Sequence, residues 1–275
     1  MNDSLSTIVG HWANWIGLPD EAVASLMAAS AEQPIERLET YQAALSSRQR
    51  LPEGSAPISA AIATLMAIPS MLERHRLQGI TDDMSVATAA DIALWISDHH
   101  RRHGTWGLSE ADWIRHHIAG KLFRIGRLQF MLATCELPLS ANDPLTPGDP
   151  IIEVHIPAGE PLDPKDCESS LEAARLHFAQ DSWHGFTCIS WLLARNLSEV
   201  LPLNSNILSF QRLFRPLPCS MDDRQTIERV FGCWPLNINE APRNTGLQRA
   251  ILDFYARGFR LDGGAGFIPR RSLPP

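Results

Sequence analysis

The sequence predicts an α+β protein, with an all-helical N-terminal domain over residues 1–120 followed by a mixed β-sheet domain with flanking helices over residues 121–275. Two patterns predict this division. Apolar residues recur at helical spacing up to about residue 120, and beyond it the spacing changes towards two. A chain of 275 residues is also long enough for two domains, each with its own apolar core.

The N-terminal domain is predicted to consist of helices joined by short polar loops. Pro19 and the acidic residues after it suit the first turn of a helix, and Pro69 predicts a kink or break within a later helix. Basic residues before Gly104 are typical of a helix C-terminus. The predicted helices cover residues 18–29, 35–45, 58–76, 87–103 and 109–120.

The C-terminal domain is predicted to contain strands connected by loops and helices. The segment 138–150, rich in Pro, Asn, Asp and Gly, is expected to connect a hairpin. Residues 259–269 are expected to form a terminal hairpin, with a turn over 262–264 and a strand over 265–269, and the glycine run 263–266 is interpreted as a turn. That run lacks the strand–helix context of a dinucleotide-binding motif. The predicted strands cover 122–132, 151–156, 186–192 and 206–214, and the predicted helices 166–180, 196–201, 222–231 and 245–258.

Composition excludes several classes of protein. The net charge of −7, with no basic stripe, argues against a nucleic-acid or anionic membrane partner. The longest apolar run, residues 58–72, is interrupted by Pro69 and is shorter than the about 20 residues that span a bilayer. Five widely spaced cysteines and an N-terminus without a basic leader predict reduced thiols and a cytoplasmic location. The oligomeric state stays undetermined.

Histidines cluster in the N-terminal domain, which raises the question of a metal site. His99 and His103 are four residues apart on a predicted helix, and His116 and His117 lie on the next. The cluster contains no glutamate in the metalloprotease position, and basic residues at a helix end suit the helix dipole. We therefore predict no metal, with a metal-dependent hydrolase as the alternative.

Polar residues on two predicted strands could line a cleft. Arg127 and Gln129 share one strand face, where they either line a polar cleft or contact solvent. Glu153 and His155 stand at the end of the next strand, where ligands often bind in α/β folds. His155 is a candidate general base because an ordinary histidine titrates close to neutral pH, although such a residue can equally be structural.

A further pair, Cys188 and Ser190, shares one face of the strand predicted over 186–192. Either residue could form an acyl intermediate if a base lay beside it, yet no nucleophile elbow surrounds them. A buried free cysteine more often behaves as a small apolar side chain. The opposite face of this strand carries Thr187, Ile189 and Trp191.

Four segments of the C-terminal domain, LFRIGRLQF, EVHIPAGEPL, FTCISWLL and SNILSFQRLF, resemble a bacterial acyltransferase-domain family. In this family a helical N-acyltransferase N-terminal domain precedes a GNAT-like C-terminal domain. The N-terminal half is similar more loosely, through GITDDMSVATAADIALWI and GLSEADWIRHHIAGKLFRIGRLQF. The resemblance covers most of the chain and implies a GNAT-like mixed sheet.

The resemblance also implies an activity, the transfer of an acyl group from acyl-CoA or acetyl-CoA to a small-molecule amine without a metal. The amine would attack the thioester directly, and His155 or Glu153 would accept its proton. Main-chain N–H groups at a splayed strand would polarise the thioester carbonyl. The remaining candidates are Ser190 as a further catalytic residue and Arg127, Gln129, Trp191 and Gln211 as substrate-binding residues.

The same resemblance places the coenzyme A pyrophosphate at the loop 155–166, with Ala158, Gly159 and Lys165 as its binding residues. This loop departs from the glycine-rich pattern of GNAT enzymes. It contains one glycine, three prolines that supply no N–H and three carboxylates that repel a phosphate. The departure leaves an alternative open, a non-catalytic binding or regulatory protein with a degenerate cofactor loop.

Overall fold

The computed structural model describes residues 4–270 and divides into two compact units between Ile125 and Gly126. The first unit is helical, and the second is built on a mixed sheet flanked by helices. The predicted α+β fold class is therefore confirmed. Within the described residues, no helix is long and apolar enough to cross a membrane.

The helical unit follows the predicted pattern closely. Pro69 lies inside a continuous helix and does not end it. Pro57 occupies the first turn of that helix, and Thr81 caps the next one by accepting a hydrogen bond from the Met84 N–H. The helices are α1 Leu5–Trp15, α2 Asp20–Glu32, α3 Ile35–Ser46, α4 Pro57–Leu77, α5 Asp82–His103 and α6 Ala111–Ile118.

The core of this unit forms around α4, which is buried on several sides. Alanines at 60, 61, 63 and 67 let neighbouring helices approach closely, while Leu65, Ile68 and Met71 fill the space between them. Each such large apolar side chain, once buried, contributes roughly 1.5–3 kcal/mol relative to an exposed position. The helical period of the sequence and the burial pattern therefore agree.

Within residues 4–270 the sheet strands of the second unit have the order β2-β3-β4-β6-β5, and β1 belongs to the first unit. β2 pairs antiparallel with β3, as the predicted hairpin requires, while β3 and β4 run parallel. β6 pairs antiparallel with both β4 and β5. The strands are β1 Leu122–Ile125, β2 Leu128–Thr134, β3 Pro150–His155, β4 Gly185–Ser190, β5 Arg215–Leu217 and β6 Gly264–Pro269; the helices are α7 Pro164–His177, α8 Asn206–Gln211, α9 Arg224–Phe231 and α10 Gly246–Ala256.

The prediction of one strand over 122–132 is wrong, because a turn at Gly126 and Arg127 separates β1 from β2. Gly126 has φ of +63°, a left-handed backbone conformation that glycine adopts readily and that strains residues with a Cβ atom. A Cβ at this position would also lie 2.6 Å from the Ser170 hydroxyl. The alternation of apolar and polar residues continues through the turn, so the sequence pattern does not reveal the turn.

Two further predictions near the C-terminus are wrong. The segment predicted as a strand over 206–214 begins with helix α8, capped by the Ser205 hydroxyl, which accepts from the Leu208 N–H at 3.2 Å. Gly264 and Gly266, predicted as part of a turn, belong to the interior strand β6, whereas the strand predicted over 265–269 is confirmed. A Cβ on Gly264 would lie 2.2 Å from the Leu193 carbonyl, so close packing explains that glycine.

Candidate active site

The register of the sheet brings three predicted site residues together on one face. Gln129 of β2 stands opposite His155 of β3, and Glu153 of β3 stands beside Thr187 of β4. Because side chains alternate along a strand, Gln129, Glu153, His155 and Thr187 share a face. Gln129 and Thr187 are buried, whereas Glu153 and His155 are partly exposed. We call these four residues the polar face.

The centre of the polar face is a histidine–carboxylate pair. The His155 Nε2 lies 3.3 Å from the Glu153 Oε2, and the two side chains are 29% and 31% exposed. An imidazole held by a carboxylate and still reachable from solvent can accept a proton from a bound amine. The geometry therefore suits the general-base role that the sequence predicts for His155.

Beside this pair, β3 and β4 pair over a short distance. Their parallel register comprises Ile152 with Phe186 and Glu153 with Thr187, while β4 continues to Ser190. On its other side β4 is paired with β6 along its whole length. The pairing of β3 with β4 therefore ends at Glu153 and Thr187, on the polar face.

Arg127, predicted as a substrate-binding residue, has a different environment. Its buried guanidinium donates hydrogen bonds to the main-chain carbonyls of Pro157 at 3.0 Å, Glu160 at 2.6 Å and Pro161 at 2.9 Å. These carbonyls belong to the loop that joins β3 to α7. The structure thus brings Arg127 to the predicted cofactor loop, which contains Ala158 and Gly159.

The three predicted cofactor-binding residues are all exposed. Ala158 and Gly159 lie at the tip of the loop, where Gly159 has φ of +105°. Lys165 is in the first turn of α7, and its N–H is bound by the capping carboxylate of Asp163 at 2.9 Å. A helix N-terminus attracts anions, although the carboxylates of Asp163 and Asp166 oppose this at α7.

Cys188 and Ser190 lie on the opposite face of β4 from Thr187. Burial raises the pKa of the Cys188 thiol, and the nearby Glu153 carboxylate raises it further. A thiol with a raised pKa stays protonated and is a poor nucleophile. The Ser190 hydroxyl accepts from the Leu192 N–H at 3.2 Å and so caps a 3₁₀ turn.

The last two predicted site residues are Gln211 and Trp191, of which Gln211 lines a cavity of about 350 Å³. Gln211 lines this cavity from α8, not from a strand as predicted, and its amide donates to the Ala194 carbonyl at 2.7 Å. Trp191 follows β4 directly, and its N–H donates to the Gln225 side chain at 2.6 Å. The cavity is lined by Leu193, Arg195, Gln211, Arg212, Phe214, Pro216, Ala265 and Gly266.

The histidines of the helical unit contact neighbouring side chains. His99 bonds the Ser109 hydroxyl at 2.7 Å, and His100 stacks on Trp106 with ring centroids 3.8 Å apart. His117 pairs with Asp91 at 3.0 Å, and both are buried. Among residues 4–270 no group of three metal-ligating side chains is arranged to hold an ion. Each contact accounts for its histidine through packing or a hydrogen bond.

Sequence reasoning missed two residues of this region. The Ser170 hydroxyl of α7 accepts from the Arg127 N–H at 2.7 Å and donates to the Asp166 carbonyl at 2.6 Å. Thr187 completes the polar face, although the sequence placed it only on the face opposite Cys188. A serine inside a helical pattern carries no distinctive signal, whereas the alternation of β4 could have singled out Thr187.

Comparison with known proteins identifies both halves of the chain. Residues 122–268, more than half of the chain, match the GNAT-like C-terminal domain family. Residues 10–120 match the N-acyltransferase N-terminal domain. A search of curated protein sequences finds no significant match.

Solved structures of acyltransferases share the fold over 97% of this chain and 88% of theirs, each with a TM-score of 0.82. One, in complex with decanoyl-CoA and teicoplanin, is 26% identical, and one in complex with CoA and 10C-teicoplanin is 25% identical. A mutant acyltransferase in complex with octanoyl-CoA is 24% identical. The chain therefore belongs to the GNAT-like C-terminal domain family, joined here to an N-acyltransferase N-terminal domain.

Proposed function

We propose that this protein is an acyl-CoA-dependent N-acyltransferase that moves an acyl group from a coenzyme A thioester to a small-molecule amine. The observation that carries the proposal is an accessible histidine–carboxylate pair at the point where the pairing of β3 with β4 ends, in a GNAT-like domain. Structural relatives solved with decanoyl-CoA and with CoA support a coenzyme A thioester as the donor.

The donor would bind along the end of β3 and the loop that follows it. Ala158, Gly159 and Lys165 are exposed there, so a phosphate can reach the main chain and the ammonium group. Main-chain N–H groups at the ends of β3 and β4, beyond their register, would polarise the thioester carbonyl. We expect medium-length acyl chains among the donors, since a relative holds decanoyl-CoA.

The chemical step would be direct attack. The amine nitrogen forms a bond to the thioester carbonyl carbon, the C–S bond breaks, and coenzyme A leaves as a thiolate that takes up a proton. His155 accepts the proton that the amine loses, directly or through water, and Glu153 stabilises the resulting imidazolium. Gln129, buried opposite His155, would orient the acceptor, and Ser190 stays a further candidate.

An acyl-enzyme intermediate is disfavoured at this site. The raised pKa of the Cys188 thiol keeps it protonated, and Cys188 lies on the face opposite Glu153 and His155. Direct transfer needs no protein nucleophile, which agrees with the groups that the polar face presents. We therefore expect sequential kinetics without a burst of acyl-enzyme.

The acceptor would be an amine, and the cavity lined by Gln211 is a candidate place for part of it. Trp191 stays a further candidate contact. A relative was solved with teicoplanin, so we include glycopeptides among the acceptors to be tested. The cysteines of the chain are free, which fits the reducing cytoplasm that we propose as its location.

The first experiment titrates the protein calorimetrically with acetyl-CoA and decanoyl-CoA, and then measures thiol release with a panel of primary amines and teicoplanin. We expect one donor molecule per chain with micromolar affinity, tighter for decanoyl-CoA. Absence of binding up to millimolar donor would contradict the transferase and favour the non-catalytic alternative. Binding without thiol release from any amine would restrict the function to donor binding.

A further inference from the structure

The loop between β3 and α7 is held from inside by a single buried side chain. The three donor nitrogens of Arg127 each contact a different carbonyl, those of Pro157, Glu160 and Pro161, within 3.0 Å. The whole residue is 6% exposed. A planar guanidinium with fixed donor directions therefore sets the path of five successive residues, 157–161.

This contact also determines where the loop directs its N–H groups. The loop peptides are trans, so the carbonyl and the N–H of one peptide point in opposite directions. Since the Pro157 carbonyl points at Arg127, the Ala158 N–H of the same peptide points away from it. Ala158 is exposed, and its N–H makes no hydrogen bond to any residue in 4–270. The loop thus presents a donor to the outside despite its prolines.

The charge of Arg127 acts in the same direction. The side chains of Glu160, Asp163 and Asp166 are exposed, so water and salt screen their repulsion of an anion. The guanidinium lies directly behind the loop and is buried, so its attraction is screened less. Its charge offsets the carboxylates that made this loop an unusual phosphate site.

Arg127 is itself fixed to α7 through its main chain. Its N–H donates to the Ser170 hydroxyl at 2.7 Å, and that hydroxyl donates to the Asp166 carbonyl in the first turn of α7 at 2.6 Å. Gly126 allows this approach, because a Cβ there would lie 2.6 Å from the Ser170 oxygen. The turn, the loop and the helix start therefore form one connected arrangement.

We infer that Arg127 is a positioning residue of the donor site, which orients the loop 157–161 so that its main chain binds the phosphate end of acyl-CoA. The inference rests on the proposed function and replaces the substrate contact that the sequence predicted for this arginine. Arg127 acts through the loop carbonyls and touches neither the acyl group nor the amine.

The test compares two donors on the same enzyme, decanoyl-CoA and decanoyl-pantetheine, which lacks the diphosphate and the nucleotide. The variants are Arg127→Gln, Arg127→Lys and Ser170→Ala. Arg175→Gln is the control, because Arg175 lies on α7, as Ser170 does, and forms a partly exposed pair with Glu172. For each protein kcat/KM is measured with both donors at a saturating amine concentration, and folding is checked by circular dichroism.

Arg127→Gln is expected to lose about 10- to 100-fold in kcat/KM with decanoyl-CoA and less than about threefold with decanoyl-pantetheine, because charge-assisted hydrogen bonds and the loop orientation they support are lost. The loss appears in KM for decanoyl-CoA and not in KM for the amine. Arg127→Lys is expected to show most of the same loss in kcat/KM, because an ammonium group cannot reproduce the planar arrangement of guanidinium donors. Arg175→Gln keeps the wild-type ratio.

An equal loss with both donors would overturn the inference, because it would mean a general structural role. A selective rise in KM for the amine would also overturn it and restore the predicted acceptor contact. If Arg127→Gln does not fold, Ser170→Ala decides, since it keeps the guanidinium and loosens only its anchor; its smaller loss must still be selective for decanoyl-CoA. A wild-type enzyme that uses neither donor would refute the proposed function itself.

Discussion

Two histidine–carboxylate pairs, one in each unit, differ chiefly in exposure. In the helical unit His117 lies 3.0 Å from Asp91, with side chains 0% and 3% exposed. In the sheet unit His155 lies 3.3 Å from Glu153, with side chains 29% and 31% exposed. The same two functional groups are thus buried in a core in the first pair and accessible to a ligand in the second.

The difference teaches that exposure decides what such a pair can do. Asp91 also accepts a hydrogen bond from the Trp95 indole at 3.0 Å, so the buried pair is part of a packed network. A buried network stabilises the fold only while every partner is present. Glu153 and His155 are less buried and can be reached from solvent. We therefore expect the first pair to control stability and the second to control turnover.

The largest effect is expected from Asp91→Ala. This change leaves His117 and the Trp95 indole without their buried carboxylate, and breaking a buried pair in this way costs about 3–5 kcal/mol of unfolding free energy. Chemical denaturation followed by tryptophan fluorescence measures it. The matched control is Asp253→Ala, which breaks an exposed pair with Arg243 and is expected to cost under about 1 kcal/mol. An equal loss of unfolding free energy in Asp91→Ala and Asp253→Ala would contradict the stabilising role assigned to the buried His117–Asp91 pair.

The second prediction concerns His155→Ala, which removes the proposed general base. We expect kcat for acyl transfer to fall about 100-fold, within the range for loss of a positioned base, with unfolding free energy almost unchanged. His184→Ala is the control. His184 also contacts a carboxylate, that of Asp149 at 3.4 Å, but its side chain is about half exposed and is not part of the polar face. Turnover that survives His155→Ala would remove this residue from the mechanism.

The third prediction is a pH dependence of stability in the helical unit. Burial, assisted by the nearby His117, lowers the pKa of His75 from 6.5 to about 4. Between these pH values the unfolded chain binds a proton that the folded protein excludes, so the unfolding free energy falls as pH drops from about 6.5 to about 4.

The variant His75→Gln tests this dependence, because glutamine can keep the hydrogen bond to Ser85 without titrating. Thermal midpoints are measured across this pH range for the wild type, His75→Gln and His11→Gln, where His11 is an exposed control. We expect the fall in thermal midpoint between pH 6.5 and pH 4 to be a few degrees smaller in His75→Gln than in the wild type, and unchanged in His11→Gln. An unchanged slope would show that other groups dominate acid destabilisation.

The smallest effect is expected from Glu153→Gln. The amide keeps the shape of the side chain and loses the charge that stabilises the His155 imidazolium, so kcat should fall by about five- to tenfold, less than in His155→Ala. Steady-state kinetics with saturating donor measure this change. A loss as large as that of His155→Ala would instead make Glu153 the base.

The sequence predicted part of the candidate site, because strand alternation and an antiparallel hairpin place residues reliably. Gln129, Glu153 and His155 lie on one face for this reason. It did not predict the environment of Arg127. The partners of its guanidinium are main-chain carbonyls, which every residue has, so no residue type in the sequence indicates them. Nor could it predict that Gln211 lies on a helix, because the same apolar spacing fits both element types over so few residues.

The sequence by itself determined the two-part α+β architecture, the helices α2 to α6 of the first unit and the strands β3 and β4 of the second, because their hydrophobic patterns are distinctive. Only the tertiary structure decided where the glycines of β6 belong, since the close approach of Leu193 to Gly264 depends on residues distant in the chain. It likewise decided which histidine–carboxylate pair is sealed and which is open. Both outcomes depend on packing between elements, which local sequence patterns do not encode.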